Sequence, residues 1–310
     1  MNKKKIGIIM ATYNGEKYLR EQLDSIIDQT YNDWFLFVSD DNSTDGTNKI
    51  LLEYKKKYKE KIFIYSNNTD SHGAKDNFAN CFALANGCDY YMLCDQDDVW
   101  EQNKIEVMVD FIERYDNSTP ILVYSDCYLA DHNLNIINES FTKYLNKYLP
   151  KKNIKKHVLL ENYFPGCSVL FNSELKQKIS VIPKEAEMHD WWITIVAALF
   201  GNIYFLDKPL HYYRQHSNNT IGANNKENNS FLIRIKKVLN YKKNIHTWRL
   251  YQKIIIDQCN AIAELYANED ISEAKCLIHI MKYPKFFRLF CLIKNKFIPH
   301  DKIRIFRLVF

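Results

Sequence analysis

Three short apolar runs near the start of the chain each end in a polar turn and pass into a stretch with apolar residues at helical spacing, a pattern few folds accommodate. Residues 5–10 (KIGIIM) are apolar enough for a strand buried on both faces. A turn at 11–15 then leads into 16–29, where Tyr18, Leu19, Leu23, Ile26 and Ile27 share a helical face. Residues 34–38 (WFLFV) and 61–65 repeat the strand pattern, helices over 50–58 and 76–85 follow them, and a fourth apolar run at 90–94 closes the series. This alternation predicts an open α/β fold, a doubly wound and mostly parallel sheet whose ligands sit beyond the carboxyl ends of its strands. Further strands are expected at 121–124, 168–171 and 204–206, with helices over 104–115 and 193–200. Residues 131–157 show weak periodicity, which suits a variable loop.

The bulk of the chain fits that reading. With 310 residues, 25% charged and 46% hydrophobic, it has the size and balance of a globular α/β domain with an appendage. Its eight cysteines form no CxxC pair and several lie in apolar runs, so they read as reduced thiols of a cytosolic protein, not a disulfide frame or zinc site. The start MNKKKIGIIMATYNG turns polar after a brief apolar run, as a first strand does and a signal peptide does not. No run approaches the roughly 18 apolar residues of a membrane-spanning helix.

The net charge of +5 conceals an asymmetry. Residues 231–310 hold 16 Lys or Arg against 6 Asp or Glu, a balance of +10, which leaves −5 for residues 1–230. A polar stretch, IGANNKENNS, precedes the basic part. The expected organisation is a catalytic domain over 1–221, a linker over 222–230 and a basic helical C-terminal extension over 231–310, with helices at 231–266 and 271–280. The final run from Phe286 to Phe310 interleaves bulky apolar residues with Lys and Arg, the composition of an interfacial helix on an anionic membrane surface. A helical cap on the catalytic domain or a homodimer contact would use the same residues. Nucleic acid is the weakest partner, because basic charge is all that supports it.

Residues 95–98 carry the strongest chemical signal: Asp95, Asp97 and Asp98 fall just where the strand at 90–94 leaves the sheet. Clustered carboxylates repel one another unless a hard cation such as Mg2+ or Mn2+ joins them to substrate phosphates. An acidic helix start is the competing account, and it explains one or two Asp, not three. The fold rule brings residues 11–15 and 39–47 to the same sheet edge, where Tyr13 could stack on a base and Asp41 accept from a base N–H. A plain turn and a helix cap are the alternatives there. Neither GxGxxG nor GxxxxGK[ST] is present. Farther on, Asp190 stands beside Trp191 and Trp192 before an apolar helix. It suits a general base flanked by sugar-stacking indoles, or an N-cap Asp with both indoles in the core.

Six stretches in order, ATYNG, SDDNSTDGT, DQDDVW, NYFPGCSVLF, MHDWWITIVAALF and YYRQHSNN, resemble the family 2 glycosyltransferases, inverting enzymes of GT-A fold that use nucleotide-diphosphate sugars. The last three resemble its branch with many rhamnosyltransferases of bacterial surface polysaccharides. The resemblance implies nucleotide contacts at Thr12, Tyr13, Asn14, Asp41, Lys75, Asp95 and Asp97, with Asn77 near the donor. It implies Mg2+ or Mn2+ at Asp97, Asp98 and His216, with Arg214 as a further candidate. Asp190 would be the catalytic base, and Gly166, His189, Trp191 and Trp192 would face the acceptor. Ala11 departs from the pattern, which commonly has a polar residue there. By the same resemblance the donor is dTDP-rhamnose or a UDP-sugar, and the acceptor is a saccharide, polyprenyl-linked in such pathways, met at the inner face of the cell membrane. A UDP-hexose or UDP-N-acetylhexosamine transferase, or a silent nucleotide-sugar binding protein, is the alternative.

Overall fold

A computed structural model describes residues 3–68, 70–216, 241–300 and 302–310, and the chain divides into two compact units. The first takes Met1–Asn146, Phe164–Ile182 and, among the described residues that follow, Phe200 to His216. The second takes Lys147–Tyr163, Pro183–Leu199 and the C-terminal segment. The two interleave along the sequence, so the division does not follow a single break at the polar spacer. That spacer itself lies outside the described residues.

The first unit opens with the expected alternation: β1 (Ile6–Thr12), α1 (Leu19–Ile27), β2 (Trp34–Asp40), α2 (Thr47–Lys57), β3 (Ile62–Ser66), α3 (Ala74–Leu84) and β4 (Tyr90–Cys94). Then come β5 (Val99–Trp100), α4 (Lys104–Ile112), β6 (Ile121–Ala130), β7 (Ile136–Asn138) and α5 (Phe141–Leu145), with α6 (Ile154–Val158) in the second unit. The chain continues through β8 (Val169–Asn172), α7 (Ser173–Lys178), α8 (His189–Phe200) and β9 (Asn202–Arg214).

The strands among the described residues join one sheet in the order β3-β2-β1-β4-β8-β6-β9-β5, with β7 on β6. The first four are parallel, β8 runs antiparallel to β4 and β6, and β6 and β9 are parallel again. Ile6, Ile8, Ile9 and Met10 are fully buried, as a strand covered on both faces requires. Gly7 is needed for that packing, because a Cβ there would stand 2.8 Å from the Tyr91 ring. The register fixes where function can sit. Thr12 lies opposite Asp40 and Met10 opposite Cys94, so β1, β2 and β4 end together and the chain order reverses around β1.

Two strands run well beyond their sequence signal. β6 spans ten residues and β9 thirteen, and the pairing between them slips at Ser125, Asp126 and Tyr128. These bulges interrupt side-chain alternation, which hides the strands from a period-2 pattern. Buried Asp126 also orders part of the stretch with weak periodicity: its carboxylate accepts from Thr142 N–H at 3.1 Å and from the Thr142 and Ser140 hydroxyls.

In the second unit, α9 (Tyr241–Leu265), α10 (Ser272–Met281), α11 (Lys285–Lys294) and α12 (Ile305–Val309) follow one another. They share a core that includes Trp248, Ile255, Ile262, Leu277, Leu292 and Leu308. Buried Glu161 ties segments together, taking Arg304 at 3.1 Å, Lys147 at 3.7 Å and the His300 N–H. Among the described residues no helix is long and apolar enough to cross a membrane.

Candidate active site

At the shared edge of β1, β2 and β4 the three loops are laced by side chain to backbone hydrogen bonds. The Gln96 amide clamps Tyr13 from both sides: Tyr13 N–H donates to its Oε1 and its Nε2 donates to Tyr13 C=O, each at 2.9 Å. The Tyr13 ring is left 57% exposed, available for stacking. Asn14 sits in the left-handed region at φ 45°, a conformation Asn tolerates, and its Oδ1 accepts from Thr44 N–H at 2.9 Å. Thr12 is buried and donates to Asp40 Oδ1 at 2.8 Å. Asp40 also receives Ser43 N–H at 2.8 Å and Asn48 at 3.1 Å, so it organises the loop after β2 from within.

Asp41 faces the next loop instead. Its Oδ1 meets His72 Nδ1 at 2.7 Å and Asn67 Nδ2 at 2.9 Å, while Oδ2 accepts Gly73 N–H at 2.7 Å. Burial pushes its carboxyl up, but the His72, Gly73 and Asn67 donors outweigh that, and the group sits below the usual carboxylate range. It is a fixed acceptor whose two oxygens already take donors from Asn67, His72 and Gly73. Buried Asn77 bonds the Thr12 and Ser39 carbonyls at 3.1 and 2.9 Å, tying α3 to both strand ends, and Lys75 lies 3.3 Å from Asp76.

The acidic loop splits its carboxylates between two surroundings. Asp97 is partly exposed and lies 2.8 Å from His216 Nε2. Asp95 is likewise partly buried. Asp98 turns fully inward, where its Oδ1 accepts Arg214 N–H at 3.1 Å. Burial, reinforced by the charges of Asp95 and Asp97, holds the Asp98 carboxyl well above the usual range. Beneath it, buried Lys104 donates to Cys167 C=O at 2.6 Å and stands 4.2 Å from the Trp100 ring centroid. Asp98, Cys167 and His211 bring ligand atoms within 4.8 Å of one another, a grouping that cysteine spacing does not announce. Buried Lys104 stands among these groups, where burial pulls its ammonium below the ordinary value, and burial likewise drives the Asp98 carboxyl and the Cys167 thiol toward their neutral forms, which are poor ligands. Asp97 with His216 is the carboxylate and imidazole pair that the acidic loop itself brings together.

Arg214 positions this arrangement. It is 1% exposed, and its guanidinium donates to Asp97 C=O at 2.7 Å, His132 C=O at 2.8 Å and Glu21 at 2.5 Å while lying 4.5 Å from the Tyr18 ring. Tyr18 in turn stacks on His216 at 4.9 Å. Gln96, Tyr18 and Glu21 escape sequence reasoning, since each acts through a partner at least 83 residues away or through Arg214. Lysine cannot reproduce a planar fork with three acceptors. Arg214→Lys is expected to lower stability by about 1–3 kcal/mol, read from the chemical denaturation midpoint, and to loosen the Asp97–His216 pair.

The remaining expected residues divide between the units. Gly166, in the first, is buried in the 3-10 turn Gly166–Ser168 before β8. In the second, Asp190 occupies the first turn of α8 and is 8% exposed. Its Oδ1 accepts Trp191 N–H at 2.7 Å and its Oδ2 accepts Asn162 Nδ2 at 2.9 Å. His189 is buried, which lowers its imidazole to about 3. Trp191 donates from its indole to Val158 C=O at 2.6 Å, and Trp192 is fully buried, so both indoles serve as core.

The model of glycosyl transferase family 2 matches residues 7–175. The dTDP-rhamnosyl transferase RfbG of Shigella flexneri is 30% identical over 265 residues, covering 82% of this chain and 85% of that protein. Among solved structures, S. aureus TarS 1–349 in complex with UDP-GlcNAc has a TM-score of 0.55 at 18% identity, over 98% of this chain and 89% of the other. A mannosyltransferase from Pyrobaculum calidifontis in complex with GDP-Man and Mn2+ has a TM-score of 0.54 at 14% identity, over 99% and 88%. At those identities the structures speak for the fold, a GT-A-like mixed α/β architecture.

Proposed function

The chain belongs to glycosyl transferase family 2, and from that premise we propose that it moves a rhamnosyl group from dTDP-rhamnose to a saccharide hydroxyl, with inversion, in bacterial surface-polysaccharide synthesis (O-antigen or capsule). The observation that carries the reading of the site is Asp97 paired with His216 at the end of β4, in the loop whose Gln96 also clamps Tyr13. Tyr13, Thr12, Asn14 and Asp41 bind the base and ribose, with Asp95 beside them. Lys75 neutralises diphosphate charge. Asp97 and His216 would hold Mg2+ or Mn2+, and Asp98 supports that loop through Arg214 N–H. A bound divalent cation supplies positive charge to the leaving nucleoside diphosphate. Asp190 takes the proton of the acceptor hydroxyl, oriented by Asn162 and Trp191 N–H. The hydroxyl oxygen attacks from the face opposite the leaving group, which inverts the anomeric centre without a covalent intermediate.

The donor assignment is tested by hydrolysis of dTDP-rhamnose, UDP-glucose, UDP-N-acetylglucosamine and GDP-mannose, each with Mn2+ and with chelator. Release of dTDP faster than any other diphosphate, and only with metal, is the expected result. Preference for a UDP-sugar would move the chain to hexosyl or N-acetylhexosaminyl transfer. Binding without turnover of any donor, even with saccharide acceptors, would make it a silent binding protein.

A further inference from the structure

The sequence reads all of the run from Phe286 to Phe310 as interfacial, and the structure divides it. Phe297, Ile305, Leu308 and Val309 are buried in the helical core, so part of that apolar content is packing. What remains outside is one face of α11. Phe286 is 84% exposed, Phe290 58% and Ile293 52%, at i, i+4 and i+7, with Phe287 beside them at 51%. The opposite face is anchored: Cys291 and Leu292 are buried, and Arg288 donates to Leu308 C=O at 3.2 Å and Tyr283 C=O at 3.2 Å. The aromatic row therefore stands on a fixed helix.

We propose that the Phe286, Phe287, Phe290 and Ile293 face of α11 is a docking surface for an anionic lipid bilayer. Charge selects this occupant. Residues 282–296 contain five Lys or Arg and no Asp or Glu, and Lys285 and Lys294 are exposed at the two ends of the helix. A second copy seated on the same face would bring two such cationic rims together, and like charges oppose that contact. An anionic headgroup layer over apolar acyl chains complements both the rim and the row. The helix would lie in the interface plane, with its phenylalanines below headgroup level and its lysines among the phosphates. This surface is independent of the donor reading.

The test uses the full chain with vesicles of phosphatidylcholine alone or with phosphatidylglycerol. Cosedimentation with the anionic vesicles, weakened by high salt and absent with phosphatidylcholine alone, is expected. The combined Phe286→Ser, Phe287→Ser, Phe290→Ser variant should lose binding by roughly tenfold or more for each ring removed, with an unchanged circular dichroism spectrum. Lys285→Glu with Lys294→Glu should lose binding in the same salt range. Phe286→Trp supplies a reporter that needs no loss of fold: its emission should shift to the blue with anionic vesicles. No shift and no cosedimentation of the unmodified chain would overturn the proposal. So would a dimer in sedimentation equilibrium that the triple serine variant dissociates.

Discussion

Asp97→Asn is expected to leave the protein folded and to cut donor hydrolysis and transfer by roughly 10^2 to 10^3, the scale of losing one preorganised electrostatic contact to developing negative charge. Asparagine keeps the shape of the side chain and removes its charge, so the partly exposed position next to His216 tolerates it sterically. What goes is the anionic oxygen that a hard cation requires. Titration calorimetry with dTDP should show strong metal dependence in the unmodified chain and little in the variant. Asp98→Asn is the informative companion, because an amide oxygen still accepts Arg214 N–H at the buried position. It should change stability more than metal dependence. Equal loss of metal dependence in both variants would return Asp98 to the cation, as the motif alone suggests. Unchanged dependence in Asp97→Asn would remove the cation from this pair altogether.

The parts of this design that were legible in the sequence are the parts made by neighbours in sequence. β1, β2 and β4 are buried on both faces and end in polar turns, so their apolar runs and the loops after them show directly. Asp95, Asp97 and Asp98 stand out because three carboxylates crowd one turn. Arg214 and His216 could be named as candidates from the resemblance, but not their purpose. Arg214 reaches Asp97 across 117 residues and His216 across 119, by way of β9, whose length is masked by bulges opposite β6. The second unit was least legible. Residues 147–163 and 183–199 cluster with the C-terminal helices through contacts such as Glu161 with Arg304 and Glu187 N–H with Gln258, and no local pattern announces such pairings. Trp191 and Trp192 mislead for a related reason: an indole beside an Asp reads the same whether it faces a sugar or a core.

Burial of those indoles changes what Asp190 must do unaided, and makes Asp190→Asn the second decisive variant. In the first turn of α8 the carboxylate has two fixed donors, Trp191 N–H on Oδ1 and Asn162 on Oδ2, so its plane is set before any acceptor arrives. Asparagine can keep one of those contacts, but its nitrogen cannot accept from the other donor, and its amide cannot take a proton. The expected result is a loss of transfer of roughly 10^2 to 10^4, the range of general acid–base catalysis, with donor binding near that of the unmodified chain. Asn162→Asp separates orientation from basicity, since it places a like charge against Oδ2. It should raise the pH at which transfer reaches half its maximum, because a neighbouring anion favours the protonated form of Asp190. A rate for Asp190→Asn within a few-fold of the unmodified chain would assign the base elsewhere and leave Asp190 as the cap of α8.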